Sequence, residues 1–123
     1  MGFSEFELKY VENTVWKMCK RRSPAHVGDR LRTVYVVEEH DVTVYEERPH
    51  WKNPQEWTRT GIAKFKYNRK QKVWKLYWMR QDLKWHLYGP LPESMRIDRL
   101  VVEVDKDPDG AFFGKSSNDR EDA

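Results

Sequence analysis

An α+β domain is the fold this sequence predicts: an N-terminal helix packed on an antiparallel meander of about five strands, closed by a short C-terminal helix. Three observations carry that expectation. A capped amphipathic segment opens the chain, runs of period-two alternation fill its middle, and an apolar stripe at helical spacing follows Gly89-Pro90-Leu91-Pro92. With 123 residues and no long linker, one domain over 1–114 is expected, followed by a small, polar, disordered tail over 115–123.

The first helix is written by its own cap. Ser4 followed by Glu7 makes a capping box, in which the serine oxygen takes the amide of residue 7 while the glutamate reaches back, and Phe3 with Leu8 is spaced as a hydrophobic staple. Leu8, Val11, Val15 and Met18 then recur every three or four residues, which predicts a helix over 5–21 stopped by Pro24. Lys17, Lys20, Arg21 and Arg22 crowd its last turns, where the helix dipole favours cations; a phosphate-contacting role is the alternative.

The β-branched runs Leu31–Val37 and Val42–Arg48 read as a hairpin turning near Glu39–His40. Pairing Tyr35 with Val44 puts Val37 beside Val42 and sets Arg32 across from Glu47 as an ion pair. Arg48-Pro49-His50-Trp51, Pro54 and Trp57 then form an ordered loop back to the sheet. There Trp51 is expected to plug one end of the sheet, with Arg48 stacked on it or bonded to loop carbonyls.

The stretch Ile62–Tyr88 is the densest signal in the chain. Its alternation predicts pairs Phe65–Leu76 and Tyr67–Trp74 around an Arg69–Lys72 loop, then Trp78–Trp85 and Leu76–Leu87 around an Arg80–Leu83 loop. Ala63, Phe65, Tyr67, Trp74, Leu76, Trp78, Trp85 and Leu87 would form the inner face. The outer face would then display Lys64, Lys66, Lys75, Tyr77, Lys84, His86 and Tyr88, with no carboxylate from this stretch. Beyond Pro92, Ile97, Leu100, Val101 and Val104 predict a helix over about 93–105, with a strand through Leu100, Val102 and Val104 as the competing reading.

Composition narrows the function classes. A net charge of +3 and a pI near 9.0 suit an anionic partner without demanding one. Cys19 is the single cysteine, so an internal disulfide or a multi-cysteine metal knot is excluded. No apolar run reaches the ~20 residues of a membrane helix, and the first ten residues lack a signal-peptide core, which makes cytoplasmic residence the expectation. Gly2 does not read as a myristoylation site, because Phe6 stands where serine or threonine belongs.

At VWKLYWMRQDLKWHLYGPLPE, with RPHW and AKFKY upstream and FFG at Phe112–Gly114, the chain resembles the bacterial family of unknown function numbered 3024. The resemblance runs from the FSEFELK helix start to Gly114. It implies a leading helix, an antiparallel sheet and a helical segment before the acidic turn, and it brings no established activity, cofactor or partner. Ala111 stands where the family pattern leads one to expect cysteine.

The basic, ring-bearing face is the first functional candidate. Lysines neutralise phosphates and rings stack unpaired bases, so the expected function is a binding module for single-stranded nucleic acid or another anionic partner. The plain alternative is a solvated sheet face. A protein-interaction module, including a homodimer, is the second expectation, with Trp51, Trp57 and Tyr88 as its patch and Arg48 and Arg80 on the rim. A metal-dependent nuclease built from Asp41, Glu46, Glu47 and Lys64 is the third. His86 beside Tyr77 would be the one candidate general base, and no nucleophile or paired carboxylate is fixed beside it, so no catalytic signature emerges. Arg80 and Asp82 read as a local ion pair across the turn. Asp105-x-Asp107-x-Asp109-Gly110 resembles the first half of a calcium loop, but Ser116 occupies the position of the bidentate ligand, so a turn is expected there. No cofactor is expected.

Overall fold

The computed structural model describes residues 3–22 and 31–113. Helix α1 (Glu5–Arg21) is followed by strands β1 (Arg32–Glu38), β2 (Asp41–Pro49), β3 (Trp57–Asn68), β4 (Val73–Met79) and β5 (Trp85–Leu87), a two-residue β6 (Glu93–Ser94) and helix α2 (Ile97–Lys106). The strands form one antiparallel sheet in the order β1-β2-β3-β4-β5, and β6 also pairs with β4. The fold is therefore α+β, as the periodicities imply. The proposed stop at Pro24, the tail and Gly114 lie outside the described residues.

Local chemistry accounts for the elements. The capping box forms at Ser4 and Glu7, and the hydrogen bond from the Ser4 amide holds the Glu7 carboxyl below its usual range. Phe3 stacks on Trp74, with ring centroids 5.4 Å apart, and so ties the helix entry to the sheet. Val11, Val15, Met18 and Cys19 of α1 and Ile97, Leu100, Val101 and Val104 of α2 join Val42, Val44, Ala63, Phe65, Trp74 and Leu76 in one core. Both helices thus cover the same side of the sheet. Residues 100–104 are helical, and the extended segment before them is β6, which shortens the expected helix at its N-terminal end. Asp105 receives Arg21 at 2.8 Å and Arg22 at 3.1 Å, tying the C-terminal ends of the two helices together.

The β1–β2 and β3–β4 registers match expectation: Tyr35 faces Val44, Arg32 faces Glu47, Phe65 faces Leu76 and Tyr67 faces Trp74. The β4–β5 register does not. Trp78 pairs with His86, Met79 with Trp85 and Tyr77 with Leu87, so Trp78 and Trp85 stand on opposite sides of the sheet. The cause is one residue in the turn. Leu83 takes a left-handed conformation (φ 63°), its amide donates to the Arg80 carbonyl, and the Arg80 amide donates to the Lys84 carbonyl. That is a type I turn followed by a left-handed residue, which places five residues between the paired Met79 and Trp85 where the expected register had four between Met79 and Lys84, and in a strand one residue inverts every side chain. His86 and Tyr88 therefore leave the outer face, Trp85 and Leu87 join it, and Lys84 sits at the end of the turn outside the strands. Because leucine has a Cβ to accommodate at positive φ, Leu83→Gly is expected to raise stability by about 1 kcal/mol, read as a higher urea midpoint at unchanged slope.

A second irregularity sits between β2 and β3. Val44 faces Ala63 but Tyr45 faces Gly61, so Ile62 is the extra residue of a bulge. Beyond it Gly61, Arg59 and Trp57 turn to the side opposite the helices. A Cβ at Gly61 would lie 2.9 Å from both Met79 Cε and Trp85 Cζ2, so the Trp85 indole lies directly over a position that only glycine fits without displacement.

Candidate functional site

The side of the sheet that the helices leave free is built by these two irregularities. Across it, cations lie over rings: Arg32 over Trp57 at 3.9 Å, Arg59 over Tyr45 at 4.7 Å, Lys64 over Trp85 at 5.2 Å and Lys66 over Tyr77 at 5.9 Å. Lys66 is exposed, while Lys64, Lys75, Tyr77 and Trp85 are half-buried. Among the described residues no helix lies over this side.

The face is less one-signed than the stretch 62–88 alone suggests. Asp41 pairs with Lys66 and Glu93 with Lys75, so each of these lysines has a carboxylate residue as its cross-strand neighbour. Toward the other end of β2 Glu47 is buried, with one oxygen 2.7 Å from Arg32 and the other 2.7 Å from Arg59. Burial pushes its carboxyl upward, but the hydrogen bonds and charges of the two guanidiniums outweigh that and hold it below the usual range.

Other expected groupings are dispersed. Trp51 is 81% exposed and plugs nothing; it stacks on His50, whose Nδ1 accepts the amides of Lys52 and Asn53. Arg48 bonds Glu46 rather than Trp51. Trp57 lies under Arg32 and Tyr88 is buried, so the Trp51–Trp57–Tyr88 patch does not exist. Adjacent in β2, Glu46 and Glu47 project to opposite sides and each is held by arginine, which dissolves the nuclease pattern. Among the described residues no group of three or more histidine, cysteine or acidic side chains is placed to hold a metal ion. The calcium-like turn is likewise spent on the fold. Asp105 takes the two arginines, Asp107 accepts the amides of Phe112 and Phe113, and Asp109 accepts the Tyr88 hydroxyl. Burial pushes the Cys19 thiol up to about 12, which makes it an inert core residue.

The turned-over β5 creates a grouping that alternation did not reveal. His86 Nε2 lies 2.8 Å from Asp82 Oδ2, and this bond, with one from the Lys84 amide, holds the Asp82 carboxyl below its usual range. Asp82 thus pairs with His86 in place of the expected Arg80, whose guanidinium lies over the Trp78 ring at 5.4 Å. His86 and Tyr77 are on opposite sides of the sheet, so no His–Tyr pair exists. Tyr88 donates towards Glu103 at 3.0 Å and Asp109 at 3.2 Å; burial first, and these carboxylates second, push its phenol well above the usual value. Trp78, Arg80, His86, Tyr88 and Asp109 border a cleft of about 490 Å³ between the β4–β5 turn and the loop after α2. The spacing Asp82-x-x-x-His86 across a tight turn was the available signal for the pair; the cleft had none, because its far wall comes from residues 109–111.

Together these features define a small α+β domain whose antiparallel sheet is covered by two helices on one side and, among the described residues, by none on the other. The chain belongs to the family described as Domain of unknown function (DUF3024), whose model matches residues 3–114. Comparison with curated proteins and with solved structures gave no match. No helix among the described residues is long and apolar enough to cross a membrane.

Proposed function

We propose that this protein is a binding module that takes single-stranded nucleic acid on the open side of its sheet. The observation that carries the reading is the placement of Lys64 over Trp85 and Lys66 over Tyr77 on a side that no described helix covers. An arriving base stacks on the ring, and the ammonium it displaces moves to the flanking phosphate, so one pair of residues serves both halves of a nucleotide. Lys75 adds a third cation beside them. Asp41, Glu47 and Glu93 temper the field, which favours a weak, salt-sensitive interaction over a tight one.

Titration of short labelled oligonucleotides by fluorescence anisotropy at several salt concentrations tests this. With three lysines engaged, log K should fall against log salt with a slope of about −2. Lys64→Gln with Lys66→Gln should weaken binding by about tenfold or more, and Trp85→Leu by a comparable factor, since stacking is worth about 1–3 kcal/mol per base. Glutamine is chosen because it removes charge without setting a new carboxylate beside Asp41. Absence of binding at low salt, or equal affinity in the double variant, defeats the reading.

A further inference from the structure

The cleft beside the β4–β5 turn is independent of the open sheet side and has its own chemistry. Its size falls within the range of small-molecule sites. The one carboxylate in its lining, Asp109, is engaged by the Tyr88 hydroxyl, and Asp82 behind it is engaged by His86 and the Lys84 amide. Arg80 differs. Among the described residues no carboxylate is bonded to its guanidinium, which rests on the Trp78 ring and is exposed at the cleft. A guanidinium lying over a ring keeps its N–H donors unspent, and those donors can receive a carboxylate or phosphate in a two-pronged fashion. His86 stands next to it in the lining, fixed at Nε2 by Asp82 with its other ring nitrogen unbonded among the described residues. Pro90 and Ala111 supply apolar wall, and Gly89 faces open space: a Cβ there would meet nothing within 4 Å.

We infer that this cleft binds a small organic oxyanion, a carboxylate or a phosphate monoester, with Arg80 taking the charged group, His86 lining the pocket beside it and the Pro90–Ala111 wall taking the carbon skeleton. Asp82 is a positioning residue in this arrangement, since it holds the imidazole and does not reach the ligand. Engagement of both acids beforehand leaves Arg80 as the charge that a ligand completes.

Phenyl phosphate and benzoate, titrated separately and followed by amide chemical shifts of the whole protein, test the assignment and separate the two ligand sources. The expected result is saturable shifts at Arg80, His86, Gly89 and Gly110 with one or both probes. Arg80→Gln should weaken binding at least tenfold, and Gly89→Phe, which fills the cleft from a position with room for a side chain, should abolish it at an unchanged melting temperature. If Gly89→Phe fails to fold, exposed Arg80→Gln carries the test. No shifts at millimolar probe, shifts centred instead on Lys64 and Lys66, or equal binding by wild type and Arg80→Gln would each overturn the inference. The oligonucleotide titration above is unaffected by Arg80→Gln if both readings hold, so the two fail separately.

Discussion

Phe65→Ala is expected to cost about 3–5 kcal/mol, enough to unfold a substantial fraction of a domain whose whole stability is of order 5–15 kcal/mol. Phe65 lies in β3, the central strand, between Val42 on one side and Leu76 on the other, and all three are fully buried beneath the helices. The site is walled by paired strands below and two packed helices above, so little can relax into the space a lost ring leaves. Leu87→Ala provides the contrast. In the register expected from alternation Leu87 would face Leu76 in the core, and its truncation would cost about 2–5 kcal/mol. In the structure it faces Tyr77 on the open side and is 48% exposed, so a loss below about 1 kcal/mol is expected. Chemical denaturation of both variants reads the difference directly. A large loss from Leu87→Ala would mean that β5 is paired the other way.

The second large effect is expected from Tyr88→Phe, a loss of about 1–2 kcal/mol. The side chain is only 2% exposed, and its hydroxyl is the donor that Glu103 and Asp109 share. Removing that oxygen leaves packing almost intact but strands a half-buried carboxylate without its donor. Exposed Asp109 recovers water, which keeps the loss at the lower end of the range for charged partners. The variant also has a signature in alkali. The phenol of the folded chain is raised above its ordinary value of 10.0, so the neutral form stabilises the fold fully below that value. As pH rises beyond it the unfolded chain gives up a proton that the folded chain keeps, and stability declines. Wild type should therefore lose stability more steeply above about pH 10 than Tyr88→Phe does, measured by urea midpoints across that range. Parallel slopes would show that Tyr88 is not the group responsible.

Much of the architecture was legible along the chain because it is held by neighbours in sequence. Ser4 and Glu7 meet across one helical turn, Val11, Val15 and Met18 share a helix face, and Asn68 to Val73 close a four-residue loop whose flanks alternate cleanly. Those arrangements need only local geometry and burial. The candidate site was legible in part: Lys64, Lys66, Lys75 and Tyr77 do share the side away from the helices. Lys84, His86 and Tyr88 do not join them, and Trp85 takes their place through the conformation of Leu83. A leucine at positive φ carries no mark in composition, since glycine or asparagine is the usual sign of such a turn. The Ile62 bulge is similarly silent, because an apolar residue in a strand looks paired until its partner strand is known.

Residue order alone sufficed for the first helix, the antiparallel sheet and the inward rows Ala63-Phe65-Tyr67 and Trp74-Leu76-Trp78, since period and burial act within one element or one tight loop, while the second helix kept a strand as its rival until the chain was packed. Only the packed chain decided which rings meet which cations, that Arg32 and Arg59 converge on Glu47, and that residues 109–111 close a cleft opposite Arg80. The reason is physical: a single residue added at a turn or bulge costs little locally, yet it exchanges the two faces of every strand position that follows.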